Sequence, residues 1–233
     1  MQSLRRLSLI TLLVIIVLDQ VSKIWVKTSM HLDENIVVFH DWFHIHFIEN
    51  PGMAFGLELG GEWGKLLLSL FRIGAIVAIA WYLRSRIRDG AHRGFVFCIS
   101  LVLAGAIGNM IDSAFYGLIF SESPKYIAQV AVLFPSEGGY AGFLQGKVVD
   151  MLHFPLIDTQ WPEWLPWVGG GRLQFFRPVF NIADSAITIG FILFALQQKT
   201  FLAETEKPQK PSIEAAGAAS QAQGSASPGQ AEE

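Results

Sequence analysis

Four apolar stretches, each about as long as a bilayer is thick, limit this chain more than any other feature. They cover about residues 7–26, 64–83, 94–119 and 179–196, and a helix needs roughly 20 apolar residues to cross the hydrocarbon core. Lipid offers no hydrogen-bond partners, so each stretch must close its backbone bonds within itself, as a helix does. Charged residues are 16% of the chain, where soluble domains carry about 25%. The implied fold class is an all-α membrane protein with four transmembrane helices. A net charge of −3 gives no reason to expect a nucleic-acid partner. The single cysteine, Cys98, falls inside the third stretch, which excludes an internal disulfide and reads as a buried, inert thiol.

Arg5-Arg6 before an apolar run has the look of a cleavable leader, which would end in a small-residue site. No alanine precedes Ala54, and the run continues into Asp19-Gln20-Val21-Ser22-Lys23, so the expectation is a retained helix. Basic residues in short flanks set orientation. Arg5 and Arg6, then Arg84, Arg86, Arg88 and Arg93, then Lys199, Lys207 and Lys210 all fall on one side of four spans. That side is the cytoplasm, so both termini are expected inside. The outer segments are then about 27–63 and 120–178. Residues 36–48 partly alternate apolar with polar and predict short strands, a small extracytoplasmic β-cradle. The longer outer loop carries Trp161, Trp164 and Trp167, residues that favour the headgroup region, so it is expected along the membrane surface. Residues 1–202 read as one transmembrane unit and 203–233, rich in Ala, Gln, Ser and Gly, as a disordered cytoplasmic tail.

Charges inside such helices cost roughly 2.5–3.5 kcal/mol each at mid-membrane and need a reason. Asp19 and Lys23 are four apart and can neutralise each other, a structural ion pair. Gly105, Gly108, Asn109 and Asp112 share one helical face, with small residues permitting close approach. Asn181 and Asp184 open the fourth helix on one face, and Asp150 sits upstream in the apolar run Val148-Val149-Asp150-Met151-Leu152. Both aspartates fall near the outer surface in this topology and could meet. Two close carboxylates cannot both ionise easily, so one keeps a proton while the other activates water. A serine–lysine site fits poorly, because Ser22 and Lys23 are adjacent and point apart. His40, His44 and His46 lack a metal-binding helical pair and read as a polar strand face, so no metal or cofactor is expected. A small proton-coupled transporter relaying through Asp19, Asp112 and Asp184, or a scaffold whose polar residues only glue helices, are the other readings.

Five segments resemble, in order, the motifs of lipoprotein signal peptidases. They are Leu18-Asp19-Gln20-Val21-Ser22-Lys23, Asn50-Pro51-Gly52-Met53-Ala54-Phe55-Gly56, Gly105-Ala106-Ile107-Gly108-Asn109-Met110-Ile111-Asp112, Val148-Val149-Asp150 and Phe180-Asn181-Ile182-Ala183-Asp184-Ser185. The resemblance implies an aspartic endopeptidase that cuts a prolipoprotein just before a diacylglyceryl-modified cysteine. It implies Asp150 and Asp184 as the catalytic pair, with Asn50, Gly52, Ala54, Gly108, Asn109, Asp112 and Asn181 holding substrate or orienting the aspartates. Asp19 and Lys23 would support the site, the outer strands would cradle the substrate, and globomycin would inhibit. It also implies that no cofactor is needed; the expected partners are the prolipoprotein substrate and membrane lipid, with the chain expected as a monomer. Two departures stand out. Many members carry arginine after the third-motif aspartate, where this chain has Ser113, and Arg72 in the second helix is the expected replacement cation. The loop between 119 and 147 is longer than in compact members, either a lid or a lineage-specific surface.

Overall fold

The computed structural model describes residues 1–39, 42–51, 61–126, 128–175 and 178–205. His40, Gly52, Ala54 and the tail from 206 onward lie outside the described residues. Helix α1 spans Gln2–Ser29, followed by strands β1 (Asn35–Phe39) and β2 (Phe43–Asn50). Helix α2 spans Gly61–Arg88 and α3 Arg93–Ile111. A wide π-helical turn, Asp112–Tyr116, and a last turn, α4 (Gly117–Ile119), prolong α3. Strands β3 (Val148–His153), β4 (Ile157–Gln160), β5 (Arg172–Phe175) and β6 (Val179–Phe180) precede α5 (Ile182–Thr205).

Among the described residues three helices are long and apolar enough to cross a membrane, α1, α2 and α3 with its extension; the apolar part of α5, Ile182–Gln198, is shorter. The apolar window of α3 is 56% buried, against 22% in α1 and 11% in α2, so α3 is the central post. Helices α1, α2 and α5 each pack on α3, whereas α1 and α2 share almost no contact. Close approach of α5 depends on Gly105, where a Cβ would lie 2.2 Å from the Ala183 carbonyl oxygen. The outward rows, such as Leu13, Val17 and Val21 of α1 or Leu67, Phe71 and Trp81 of α2, stay exposed as lipid-facing surface.

The helices overrun their apolar blocks. Leu4 at one end of α1, and Leu83 and Ile87 at the end of α2, are still buried, so packing sustains the helix past the hydrophobic run. The fourth helix starts at Ile182 rather than 179, because Val179 and Phe180 pair with β3 as strand β6. The antiparallel sheet runs in the order β1-β2-β3-β6, and β4 and β5 form a separate hairpin whose connecting turn exposes Trp164 and Trp167. The expected strands at 36–48 are β1 and β2. His44 and His46 are half-buried rather than a free polar row, their rings 5.7 and 5.8 Å from that of His153.

Residues 120–126 and 128–147 form a packed strap. Phe120, Ala131 and Leu144 are buried, and its backbone amides close carbonyls at the end of α3 that no helix can satisfy. Gly146 N donates to Ser113 O (2.8 Å), Ala141 N to Gly117 O (2.9 Å) and Phe134 N to Ile119 O (2.7 Å). Leu144 holds a left-handed backbone (φ 65°) while its carbonyl accepts from Ser69 Oγ at 3.2 Å. Val26, Met30, Phe47, Tyr116, Phe120 and Val149 form one core that welds sheet, strap and helix ends together.

Candidate active site

The head of α5 is built from the sequence outward. Pro178 and strand β6 bring the chain in extended, and Asn181 caps the helix. Its Oδ1 accepts from Asp184 N (2.9 Å), and its own N–H leans on Asp184 Oδ2 (3.4 Å), a reciprocal capping box. Ala183 N, another orphan amide of the first turn, donates to Asp19 Oδ1 of α1 at 2.9 Å. Because Leu152 pairs with Phe180, Asn181 arrives beside the middle of β3, where Asp150 sits. Asn181 Nδ2 donates to Asp150 Oδ1 at 2.6 Å.

A second asparagine continues the chain. Asn109 Nδ2 donates to Asp184 Oδ1 (2.8 Å), and Asn109 Oδ1 accepts from Asn181 Nδ2 (3.1 Å) and from Lys23 Nζ (2.9 Å). An ammonium can only donate, so Lys23 fixes which end of the Asn109 amide faces it and turns the NH₂ toward Asp184. In the same way the backbone N–H of Asp184 turns the Asn181 NH₂ toward Asp150. The two amides therefore link the two carboxylates through hydrogen bonds of determined polarity.

Beneath them lies a buried cluster. Lys23 Nζ is 2.9 Å from both Asp19 Oδ2 and Asp112 Oδ2, all three side chains having no exposure. Gln20 Nε2 donates to Asp112 Oδ1 (2.9 Å) and lies 3.1 Å from Asp19 Oδ2, while Tyr116 OH donates to Gln20 Oε1 (3.2 Å). Asp112 Oδ2 also accepts from Val149 N at 3.2 Å, tying β3 to the π-turn one residue before Asp150. Asp150 is 6% exposed; burial first, and then the negative charge of Asp184, push its carboxyl up to about 7, against the Asn181 hydrogen bond. Asp184 is only half-buried, which leaves a route for water.

Of the residues singled out from sequence, Asp19, Lys23, Asn109, Asp112, Asp150, Asn181 and Asp184 come together in this one network. Gly108 lends its carbonyl to Gln20 Nε2 at 3.2 Å. Arg72 Nη1 lies 3.3 Å from Ser113 Oγ, within electrostatic range of Asp184, Asp112 and Asp150. Asn50 closes β2 opposite Val148, two residues from Asp150. Sequence reasoning missed a second charged cluster. Lys27 Nζ bonds Glu49 Oε1 and Ser123 Oγ (2.9 Å), Lys147 Nζ reaches Glu49 Oε2 at 3.1 Å, and both ammoniums face the Tyr140 ring. One signal was there: Lys27 follows Lys23 by four residues in an apolar helix.

The architecture is shared with solved proteins. A structure described as "Bacterial membrane enzyme structure by the in meso method at 2.3 A resolution" superposes with a TM-score of 0.55 at 22% identity, covering 87% of this chain and 93% of that one. The common fold is that of a multi-pass membrane protein. In sequence, the Signal peptidase (SPase) II family matches residues 11–200. A lipoprotein signal peptidase of Porphyromonas gingivalis is 55% identical over 183 residues, 78% of each chain. One from Amoebophilus asiaticus is 35% identical over 190 residues, 80% of this chain and 75% of its own. The chain belongs to the signal peptidase II family, and it is a membrane peptidase.

Proposed function

We propose that this protein removes the signal peptide from bacterial prolipoproteins, cutting just before a cysteine that carries diacylglycerol, with Asp150 and Asp184 as its catalytic pair. The observation that carries the reading is the Asn181–Asn109 bridge, which joins the two carboxylates where the sheet meets the head of α5. One carboxyl keeps its proton and the other is charged. The charged one takes a proton from a water whose oxygen attacks the scissile carbonyl. The protonated one hydrogen-bonds that carbonyl oxygen. The C–N bond then breaks as the leaving nitrogen takes a proton from the pair, and the pair titrates as a unit.

The sheet cradles the extended substrate beside Asn50, and Arg72 replaces the cation that many relatives carry at the position of Ser113. Its guanidinium beside Ser113 supports that assignment. Both termini face the cytoplasm of an inner-membrane monomer, with the pair near the outer surface. A proton-coupled transporter would need carboxylates distributed through the membrane depth. Here Asp19, Asp112, Asp150 and Asp184 gather in one network at one end of the bundle, which favours the peptidase.

The test is cleavage of a diacylglyceryl-modified prolipoprotein by wild type, Asp150→Asn and Asp184→Asn, with thermal unfolding followed alongside. Cleavage by wild type alone, all three being folded, is expected. Full activity in either variant would overturn the pair. Arg72→Ala is expected to slow cleavage and Arg72→Lys to restore part of it; wild-type rates in both would remove Arg72 from the site.

A further inference from the structure

At the opposite end of the bundle, α1 and α2 diverge on α3 and leave an open cleft of about 390 Å³. Leu12, Leu83 and Leu103 are among its apolar walls, and Arg5, Arg84 and Arg88 stand at its rim. Arg84 and Arg88 are one turn apart on the same face of α2, and Arg5 faces them from α1. Among the described residues no acidic side chain pairs with any of the three; the nearby Asp89 takes Arg86, at 3.8 Å. Arg5 lies fourteen residues before Asp19, roughly 21 Å along the helix axis, so the cleft shares nothing with the paired carboxylates.

We propose that this cleft binds an acidic phospholipid of the surrounding membrane. Its apolar walls are continuous with the lipid-facing surface and take an acyl chain. Three guanidiniums, none paired with an acidic side chain among the described residues, take the phosphate, for which their fork geometry is suited. A zwitterionic lipid matches the walls equally well but leaves most of the positive charge unbalanced. The site therefore selects by headgroup charge while using the chain for residence.

The experiment uses the full chain in neutral detergent, with phosphatidylglycerol and phosphatidylcholine titrated separately and retained lipid read by native mass spectrometry. Wild type is expected to retain phosphatidylglycerol in preference. Arg84→Gln with Arg88→Gln should weaken that retention roughly 25-fold, at about fivefold per arginine. Arg6→Gln with Arg93→Gln removes the same charge outside the cleft and should leave retention nearly unchanged. Ala80→Trp, which fills the cleft without altering charge, should weaken retention too. Unfolding temperatures identify any variant that has lost its fold, and Ala80→Trp and the two arginine pairs test the site independently. Equal loss in the two arginine pairs, equal retention of both lipids by wild type, or no effect of a folded Ala80→Trp would each overturn the site. So would competition by inorganic phosphate at the lipid's own concentration.

Discussion

Lys23 and Lys27 stand one turn apart on the same face of α1, both without exposure, and they do different work. Lys23 spends its three protons on Asp19, Asp112 and Asn109. That is one ammonium for two carboxylates, so the cluster under the proposed catalytic pair has a formal excess of negative charge. Lys27 and Lys147 share Glu49, and aromatic faces of Tyr140 and Phe120 complete the surroundings of Lys27 at 5.1 and 5.4 Å. There the charges balance, because Lys147 Nζ also lies 3.8 Å from Glu122 Oε1. The first lysine orients an amide that reaches Asp184; the second fastens the strap and β2 to the helix. Residue type and helical position are the same, and the partners set the role.

That contrast can be broken experimentally, and the largest effect belongs to Lys23. Lys23→Met strands two buried carboxylates and should cost about 3–5 kcal/mol in chemical unfolding, with cleavage lost. Near-normal stability would mean that the cluster is not the anchor described. Asn109→Ala should leave a folded protein that cleaves about 100-fold more slowly, since the lost bridge lets Asp184 drift by a fraction of an ångström or more. Glu49→Gln should show the reverse pattern. Unfolding becomes easier by about 1–3 kcal/mol, as a buried charge loses its partner, while the folded fraction cleaves near the wild-type rate. If Glu49→Gln instead spares stability and abolishes cleavage, the division between the clusters fails.

The smallest effect is in pH dependence, where the two regions differ in sign. The native Asp150 carboxyl is pushed up to about 7, well above the ordinary carboxylate range, so the folded state binds more protons in that window. Its contribution therefore falls as pH rises from about 4 to 7, and Asp150→Asn should flatten that part of the stability curve. Burial pushes the Glu49 carboxyl up, but the Lys27 and Lys147 ammoniums outweigh it and hold the group below its ordinary range. Its contribution is present above the ordinary carboxylate range and is lost as pH falls through the lowered one. Glu49→Gln should accordingly alter only the acidic side. The same slope in both variants would refute the assignment.

The helices were legible because lipid leaves a spanning segment few choices, and a run of apolar residues announces that constraint. The network around Asp150 and Asp184 was legible because charge inside such a run demands an explanation. The strap was not. Its bonds are backbone amides meeting the carbonyls of Ser113, Gly117 and Ile119, and no side-chain pattern records them. Glu49 was hidden for another reason: its partners Lys27, Ser123 and Lys147 are 22, 74 and 98 residues away in sequence. Nor does a wide turn at Asp112–Tyr116 leave a mark that periodicity can read. The start of α5 was misplaced by three residues because Val179 and Phe180 are as apolar as the helix they precede.

The capped head of α5 has a consequence for biosynthesis. Asp184 takes its position from Asn181, Asn109 and, through the neighbouring amide, Asp19, so it depends on helices made long before it. A chain still leaving the ribosome can carry Asp150 in a formed sheet and have no partner for it. The proposed pair comes together only when α5 docks, so a chain in which α5 has not yet inserted is expected to lack hydrolytic activity.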